Sequence, residues 1–365
     1  MKSQTGLKVR TVQFKPNSRN LFFHILTQCN LRCKHCYINQ DAQGKEILDS
    51  ETIFNWLKIF ANRAVSFEEI PLEGNFRFKG KFRLPHEHVA EQTNVIFLGG
   101  EPTLNPALPE AIRYARDLGF RSITVDTNGY LFHDFLNKVT PGLVDNICFS
   151  LDGSTPQTND PIRGHGAFER CTQGIREAIS GGFNVSVIFT VSMLNIHDLA
   201  RMPHLLQELG VENFFIQVVG IRGRPAKEGD YGLQVGRTLW EEVVPKVAKE
   251  AASLGITVTY PKVYLGKNED FSCAGVDGEN YFVFPNGRVY ICPLCEDLAV
   301  HSFEIKDNVL KLRPPITELD LIALNIPEGC VMNKILHPEN IPYGESGEVL
   351  AKVACCMLKE EVRPG

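Results

Sequence analysis

Between residues 20 and 255, short apolar runs alternate with longer amphipathic segments, and this rhythm leaves few folds open. The runs are NLFFHILT (20–27), NVIFL (94–98), RSITVDT (121–127), NICFSL (146–151), NVSVIFTVS (184–192) and NFFIQVVG (213–220). All are rich in β-branched and aromatic residues, as buried strands are. Helical patterns fall at about 48–64, 106–118, 131–139, 167–181, 197–209 and 235–254. Glycine in DLGF, SGGF, ELGV and SLGI stands where a helix C-terminus favours it. Such repetition implies a parallel sheet with right-handed crossovers. Six units are two short of a closed eightfold barrel. The expected fold is α/β, a partial (β/α)6 TIM-like barrel, with a flat doubly wound sheet as the alternative that periodicity leaves open.

The rhythm is interrupted at residues 66–92, too long a stretch for a simple connection and read as a lid or surface insertion. It stops altogether after residue 255. From 256 to 365 the chain reads as short strands, turns and cysteines, with NYFVFPNGRVYIC forming a hairpin about Asn286-Gly287. The expected organisation is an N-terminal extension (1–19), a barrel (20–255) and a small cysteine-rich C-terminal domain (256–365). Only about twenty residues precede the first strand, so no fused N-terminal recognition domain is expected.

Charge excludes some functions. A formal net charge of −5 gives no electrostatic case for nucleic-acid binding. No apolar run reaches the roughly 18 residues of a membrane span, and the first twenty residues lack the apolar core of a secretory signal. A cytoplasmic location is expected. Eleven cysteines are then many, because disulfides are rare in a reducing compartment and clustered thiols there point to metal or redox chemistry.

Cys29, Cys33 and Cys36, in CNLRCKHCY, follow directly on the first strand, at the end where parallel α/β folds place their sites. A structural zinc site wants four ligands, and His35 is crowded between two of the cysteines. Three thiolates suit three irons of a [4Fe–4S] cube and leave the fourth iron open to a small chelating ligand; a zinc knuckle is the competing reading. The next strand ends in GGEP, where Gly99 and Gly100 allow close backbone approach and Glu101 can hold an ammonium group.

C-x3-C-x2-C after one strand and GGEP after the next resemble the radical S-adenosylmethionine (SAM) superfamily. The resemblance covers about residues 20–255, and its two opening motifs together are highly specific. It implies that Cys29, Cys33 and Cys36 bind the cluster and that the methionyl amine and carboxylate of SAM chelate the fourth iron. Reductive cleavage of SAM would then give a 5′-deoxyadenosyl radical that abstracts hydrogen from a substrate. Gly99, Gly100, Glu101 and Pro102 resemble the family's SAM-amine motif, and DTNG (126–129) its third-strand signature. SLDGSTPQTNDPIRG (150–164) resembles a further stretch of one large branch, although Asn159 stands where that branch has histidine. By this match Ser150 and Arg163 contact SAM, Asp152 lies near the substrate as a catalytic residue, and Tyr37 and Asn128 join the cofactor-binding set. Asp126, Asn128 and Asp152 are also ordinary turn-capping residues.

Cys273, Gly287 and Cys292 resemble the opening of a SPASM or twitch domain, an auxiliary-cluster extension of these enzymes. Full SPASM domains carry seven cysteines; here Cys292 and Cys295 form only one C-x2-C, followed by Cys330, Cys355 and Cys356. One auxiliary [4Fe–4S] cluster is expected, on Cys273, Cys292 and Cys295 with one of the remaining three. A structural zinc site is the alternative there. Cys148 reads as a buried hydrophobe.

The resemblance implies a peptide or protein substrate, with a small metabolite of cofactor biosynthesis as the alternative. The partners it implies are a low-potential donor of the ferredoxin or flavodoxin type and a precursor peptide with a separate recognition protein. A zinc-stapled binding protein without catalysis is the reading from a different class.

Overall fold

The computed structural model describes residues 7–12, 19–38, 44–62, 89–220, 223–225, 231–264, 279–291, 303–312 and 359–365. In chain order the elements are β1 (Lys8–Val12), β2 (Arg19–His24), α1 (Ser50–Asn62), β3 (Thr93–Leu98), α2 (Leu108–Asp117), β4 (Ser122–Thr127) and β5 (Asn146–Ser150). There follow α3 (Pro156–Arg163), α4 (Ala167–Ser180), β6 (Val185–Val191), α5 (Met202–Leu209), β7 (Asn213–Val218), α6 (Arg237–Ser253) and β8 (Thr257–Pro261). The last strands are β9 (Glu279–Val283), β10 (Arg288–Tyr290), β11 (Phe303–Lys306), β12 (Val309–Leu312) and β13 (Lys359–Arg363).

Among the described residues, the thirteen strands form one sheet in the order β1-β13-β8-β7-β6-β5-β4-β3-β2-β9-β10-β11-β12. Strands β2 to β8 pair in parallel in sequence order, and β9 joins β2 in parallel on the other side. The sheet does not close. It is the expected α/β architecture of a partial TIM-like barrel, flanked by antiparallel edges at β13–β1 and β9–β12.

Alternation within each strand sorts the two faces. On the convex face Leu21, Phe23, Val95, Phe97, Ile123 and Val125 are fully buried beneath the helices. Trp56 of α1 stacks on Phe23, which also stacks on Phe97, each pair with ring centroids 6.1 Å apart. Burying side chains of this size contributes about 1.5–3 kcal/mol each. The concave face is polar at its base. Asn20 donates to Asn280 at 2.8 Å, Asn94 donates to Asn20 at 3.0 Å, and the Ser122 hydroxyl donates to Asn94 at 2.7 Å.

The expected glycine stops hold: Gly119 and Gly210 close their helices with φ of +79° each, a conformation that costs a side chain with Cβ. The hairpin about Asn286-Gly287 is also present, with Val289 opposite Val283 and Gly287 at φ +81°. Two local expectations change. Residues 131–139 form a 3₁₀ turn, Phe132–Asp134, and further turns instead of a helix, because the connection is short and ends at Pro141. Residues 156–163, outside the helical patterns of the sequence, form α3 despite Pro161 within it. Most of the insertion 66–92 and all the C-terminal cysteines lie outside the described residues. Among the described residues no helix is long and apolar enough to cross a membrane.

Candidate active site at the C-terminal ends of the strands

The loop after β2 carries Cys29, Cys33 and Cys36, all partly exposed. Its path is fixed from three sides. Lys34 N–H donates to Ile162 O of α3 at 2.9 Å, and Arg224 N–H donates to Cys36 O at 2.9 Å. The end of β3 presses on the stretch that leads into the loop. Gly100 N–H donates to Leu26 O at 3.1 Å, and Glu101 N–H donates to Gln28 O at 2.9 Å. A Cβ on Gly99 would meet Leu26 O at 2.3 Å, and one on Gly100 would meet Gln28 O at 2.1 Å. The two glycines therefore let the protein's own chain segments approach each other.

Glu101 is buried at 1 % exposure. Its Oε1 accepts from Thr103 N–H at 3.1 Å, the Thr103 hydroxyl at 2.6 Å and the Thr127 hydroxyl at 2.8 Å; Oε2 accepts from Asn128 N–H at 2.7 Å. Burial pushes its carboxyl up, and these donors oppose the shift. Pro102 opens the 3₁₀ turn Pro102–Leu104 that Glu101 caps. Asn128, positioned in this way, sends its side-chain amide to Cys29 Sγ at 3.7 Å and to Asn30 Oδ1 at 2.9 Å.

Arg163, the last residue of α3, lies with its Nη1 4.0 Å from Cys33 Sγ and its Nε 2.6 Å from Asp152. Asp152 is fully buried and also bonds His35 of the cysteine loop. Ser150, half-buried, ends β5 on the same face as Cys148, and its carbonyl accepts from the Cys171 thiol at 3.5 Å. Tyr37 donates to or accepts from His24 at 2.9 Å, and His24 stacks on Phe284 of the hairpin turn at 4.0 Å. Cys148 is buried, as expected.

The structure thus brings Cys29, Cys33, Cys36, Glu101, Asn128, Asp152 and Arg163 into one constellation from segments far apart in sequence. Sequence reasoning missed Asn30, Thr103, Thr127, Thr190 and Asn195, which bond members of the set. Their hydroxyls and amides carry no distinctive spacing.

The residues fit the group that the cysteine motif implies. Burial pushes the Cys29 thiol up to about 12 and raises that of Cys33, so deprotonation there calls for a cationic partner. Among the described residues no three His, Cys, Asp or Glu side chains converge on a single-ion position. A cube takes each thiolate on a separate iron. Asn30 Nδ2, beside Cys29, is buried without a hydrogen-bond partner among the described residues, a donor available to a bound group.

Residues 86–209 match the Radical SAM superfamily. Over these residues the chain is similar to radical SAM proteins. Its similarity to Fe-coproporphyrin III synthase of Methanosarcina barkeri is 29% identity over 65% of this chain and 54% of the synthase. Similarity to a probable GTP 3′,8-cyclase of Saccharolobus islandicus is 28% identity over 76% of this chain and 83% of the cyclase. The crystal structure of SuiB of Streptococcus suis bound to S-adenosylmethionine shares the fold with TM-score 0.56, at 14% identity over 78% of this chain and 62% of SuiB. The matched region and these relatives favour radical SAM chemistry over the non-catalytic zinc-stapled reading, and the chain spans 54% of the length of the synthase it matches.

Proposed function

We propose that the chain cleaves SAM reductively and uses the product radical on a small polar metabolite, as a step of cofactor biosynthesis. The observation that carries the reading is the convergence of Cys29, Cys33 and Cys36 with Asn128 and Arg163 at the C-terminal ends of the parallel strands. When bound on the three thiolates, a [4Fe–4S] cluster with SAM on its open iron supplies a 5′-deoxyadenosyl radical for hydrogen abstraction. Cys29, Cys33 and Cys36 hold the irons, the Asn128 amide and the Arg163 guanidinium stabilise negative charge on the sulfurs, and Asn30 offers a free donor to the ligand. Gly99, Gly100, Pro102 and Ser150 shape the rim on which SAM rests, and Tyr37 steadies the loop through His24. The polar concave face below, with Asp126 and the Asn20–Asn94–Asn280 ladder, suits a hydrogen-bonding metabolite. The names of the two relatives, a GTP cyclase and a coproporphyrin synthase, point to the same substrate class.

Cys273, Cys292 and Cys295, completed by one of Cys330, Cys355 and Cys356, hold one auxiliary [4Fe–4S] cluster in a SPASM- or twitch-like C-terminal domain. The reductant is a ferredoxin or flavodoxin. A peptide substrate is the second reading, favoured by the fold shared with SuiB, which has been solved with its precursor peptide SuiA at TM-score 0.55. Anaerobic reconstitution with iron and sulfide, followed by reductant and SAM, tests the reading. The expected products are methionine and 5′-deoxyadenosine, and a colourless zinc protein without SAM cleavage overturns it. Stimulation of 5′-deoxyadenosine release by a low-molecular-mass cell filtrate supports the metabolite; stimulation by the peptide fraction alone supports the second reading.

A further inference from the structure

One buried carboxylate links the cysteine loop to two other elements. Asp152 is 0 % exposed. Its Oδ2 meets His35, between Cys33 and Cys36, and the Arg163 Nε of α3 at 2.6 Å. Its Oδ1 accepts from Thr190 N–H of β6 at 2.7 Å. The Asp152 peptide is fixed as well: its N–H donates to Asn159 Oδ1 at 2.9 Å and its carbonyl accepts from Asn195 Nδ2 at 3.1 Å. Asn195 in turn accepts from Ser192 N–H at 2.7 Å. The carboxylate therefore has no freedom to swing toward a substrate. Burial pushes its carboxyl upward, but Arg163 and His35 more than reverse this, down to about 2, so it is anionic at neutral pH.

Arg163 connects this anchor to the sulfurs. Its Nη1 lies 4.0 Å from Cys33 Sγ, and its carbonyl accepts from the same thiol at 3.9 Å. A guanidinium at that range favours added negative charge on a cluster, and the carboxylate behind it offsets part of the effect. Net charge and hydrogen bonds at the sulfurs are what tune such potentials.

We propose that Asp152 is a positioning residue that clamps the cysteine loop through His35 and Arg163 and thereby sets the reduction potential of the cluster held there. The inference rests on the reading that Cys29, Cys33 and Cys36 hold a [4Fe–4S] cluster. It gives Asp152 a role toward the cluster in place of one toward the substrate.

Opposite charge changes provide the test. The full-length reconstituted protein is titrated anaerobically, following the paramagnetic signal of the reduced cluster that changes on addition of SAM. D152N removes a negative charge and shifts the reduction equilibrium about tenfold toward the reduced cluster, ~59 mV upward for a one-electron couple. R163Q shifts it in the opposite direction, and the D152N/R163Q double variant returns close to wild type. H35N keeps the Asp152–Arg163 pair but releases the loop, so its signal broadens and its potential moves less than that of D152N. Iron content and circular dichroism accompany each titration; where D152N fails to fold, R163Q, H35N and the charge-balanced double variant decide. Unchanged potentials, shifts of D152N and R163Q in the same direction, or uniform loss of iron from the variants overturn the proposal. A wild-type protein that shows no SAM-responsive signal overturns both this inference and the reading on which it rests.

Discussion

Glu101 shows how one side chain can organise a site without facing a charged partner. An ionised carboxylate has about four lone-pair sites; Thr103 N–H and the Thr103 and Thr127 hydroxyls converge on Oε1, and Asn128 N–H takes one site on Oε2. Glutamine at this position would turn an amide donor against donors already in place. E101Q is expected to cost about 1–3 kcal/mol in urea denaturation, the usual penalty for a buried group left unpaired. It should also reduce the iron retained after reconstitution, because Asn128 loses the contact that aims it at Cys29. T127V removes one donor of the four and should cost less; an equal or larger loss would mean that Glu101 is not the hub. In the sequence Glu101 stood out only by its place after two glycines. The Thr127 donor lies 26 residues on, at the end of another strand, and only the parallel register of β3 and β4 brings the two together.

At the level of elements, the strands of the barrel were legible because fully buried parallel strands are short apolar runs, and six of them are legible to within three residues of their ends. α3 was not, since Asn159 and Pro161 both disfavour helix. Tertiary contacts override that local preference: Ile162 and Arg163 are buried, and Ile162 O accepts from Lys34 of the cysteine loop. The glycines after β3 were legible as a close approach, but the approaching group turned out to be the chain itself. Gly100 would place a Cβ 2.1 Å from Gln28 O and 2.8 Å from Thr27 O. Both are backbone atoms, which cannot give way as the end of a flexible side chain would. G100A should therefore displace the lead-in to Cys29, with a loss of about 1–3 kcal/mol as in other overpacked sites. Iron content after reconstitution should fall with it. A variant that keeps wild-type iron and melting temperature would show that the loop moves freely, against the packing described.

For the molecule as a whole, two quantities can be measured directly. The first is cluster number. A variant with Cys29, Cys33 and Cys36 all changed to alanine should keep about four irons if the C-terminal cysteines hold one cube and about eight if they hold two. Complete loss of iron would remove the auxiliary cluster. The second is the pH dependence of stability, in which two aspartates act oppositely. Asp152 is held down at about 2; its contribution is present above the ordinary value of 3.8 and is lost as pH falls from there toward 2. Asp126, on the concave face of β4, is pushed up to about 7 by burial. The Glu101 charge adds to that shift, and Lys359 and the Cys148 thiol oppose it. Between 3.8 and about 7 the folded protein therefore keeps a proton on Asp126 that the unfolded chain has released. Stability must then decline as pH rises through this window, by at most ~1.4 kcal/mol per pH unit from this group. D126N cannot ionise and should flatten the decline, gaining on wild type progressively toward pH 7. Anaerobic urea titrations of the reconstituted protein at several pH values measure the difference. A constant offset between D126N and wild type across the window would place the Asp126 carboxyl at its ordinary value and open the concave face to water.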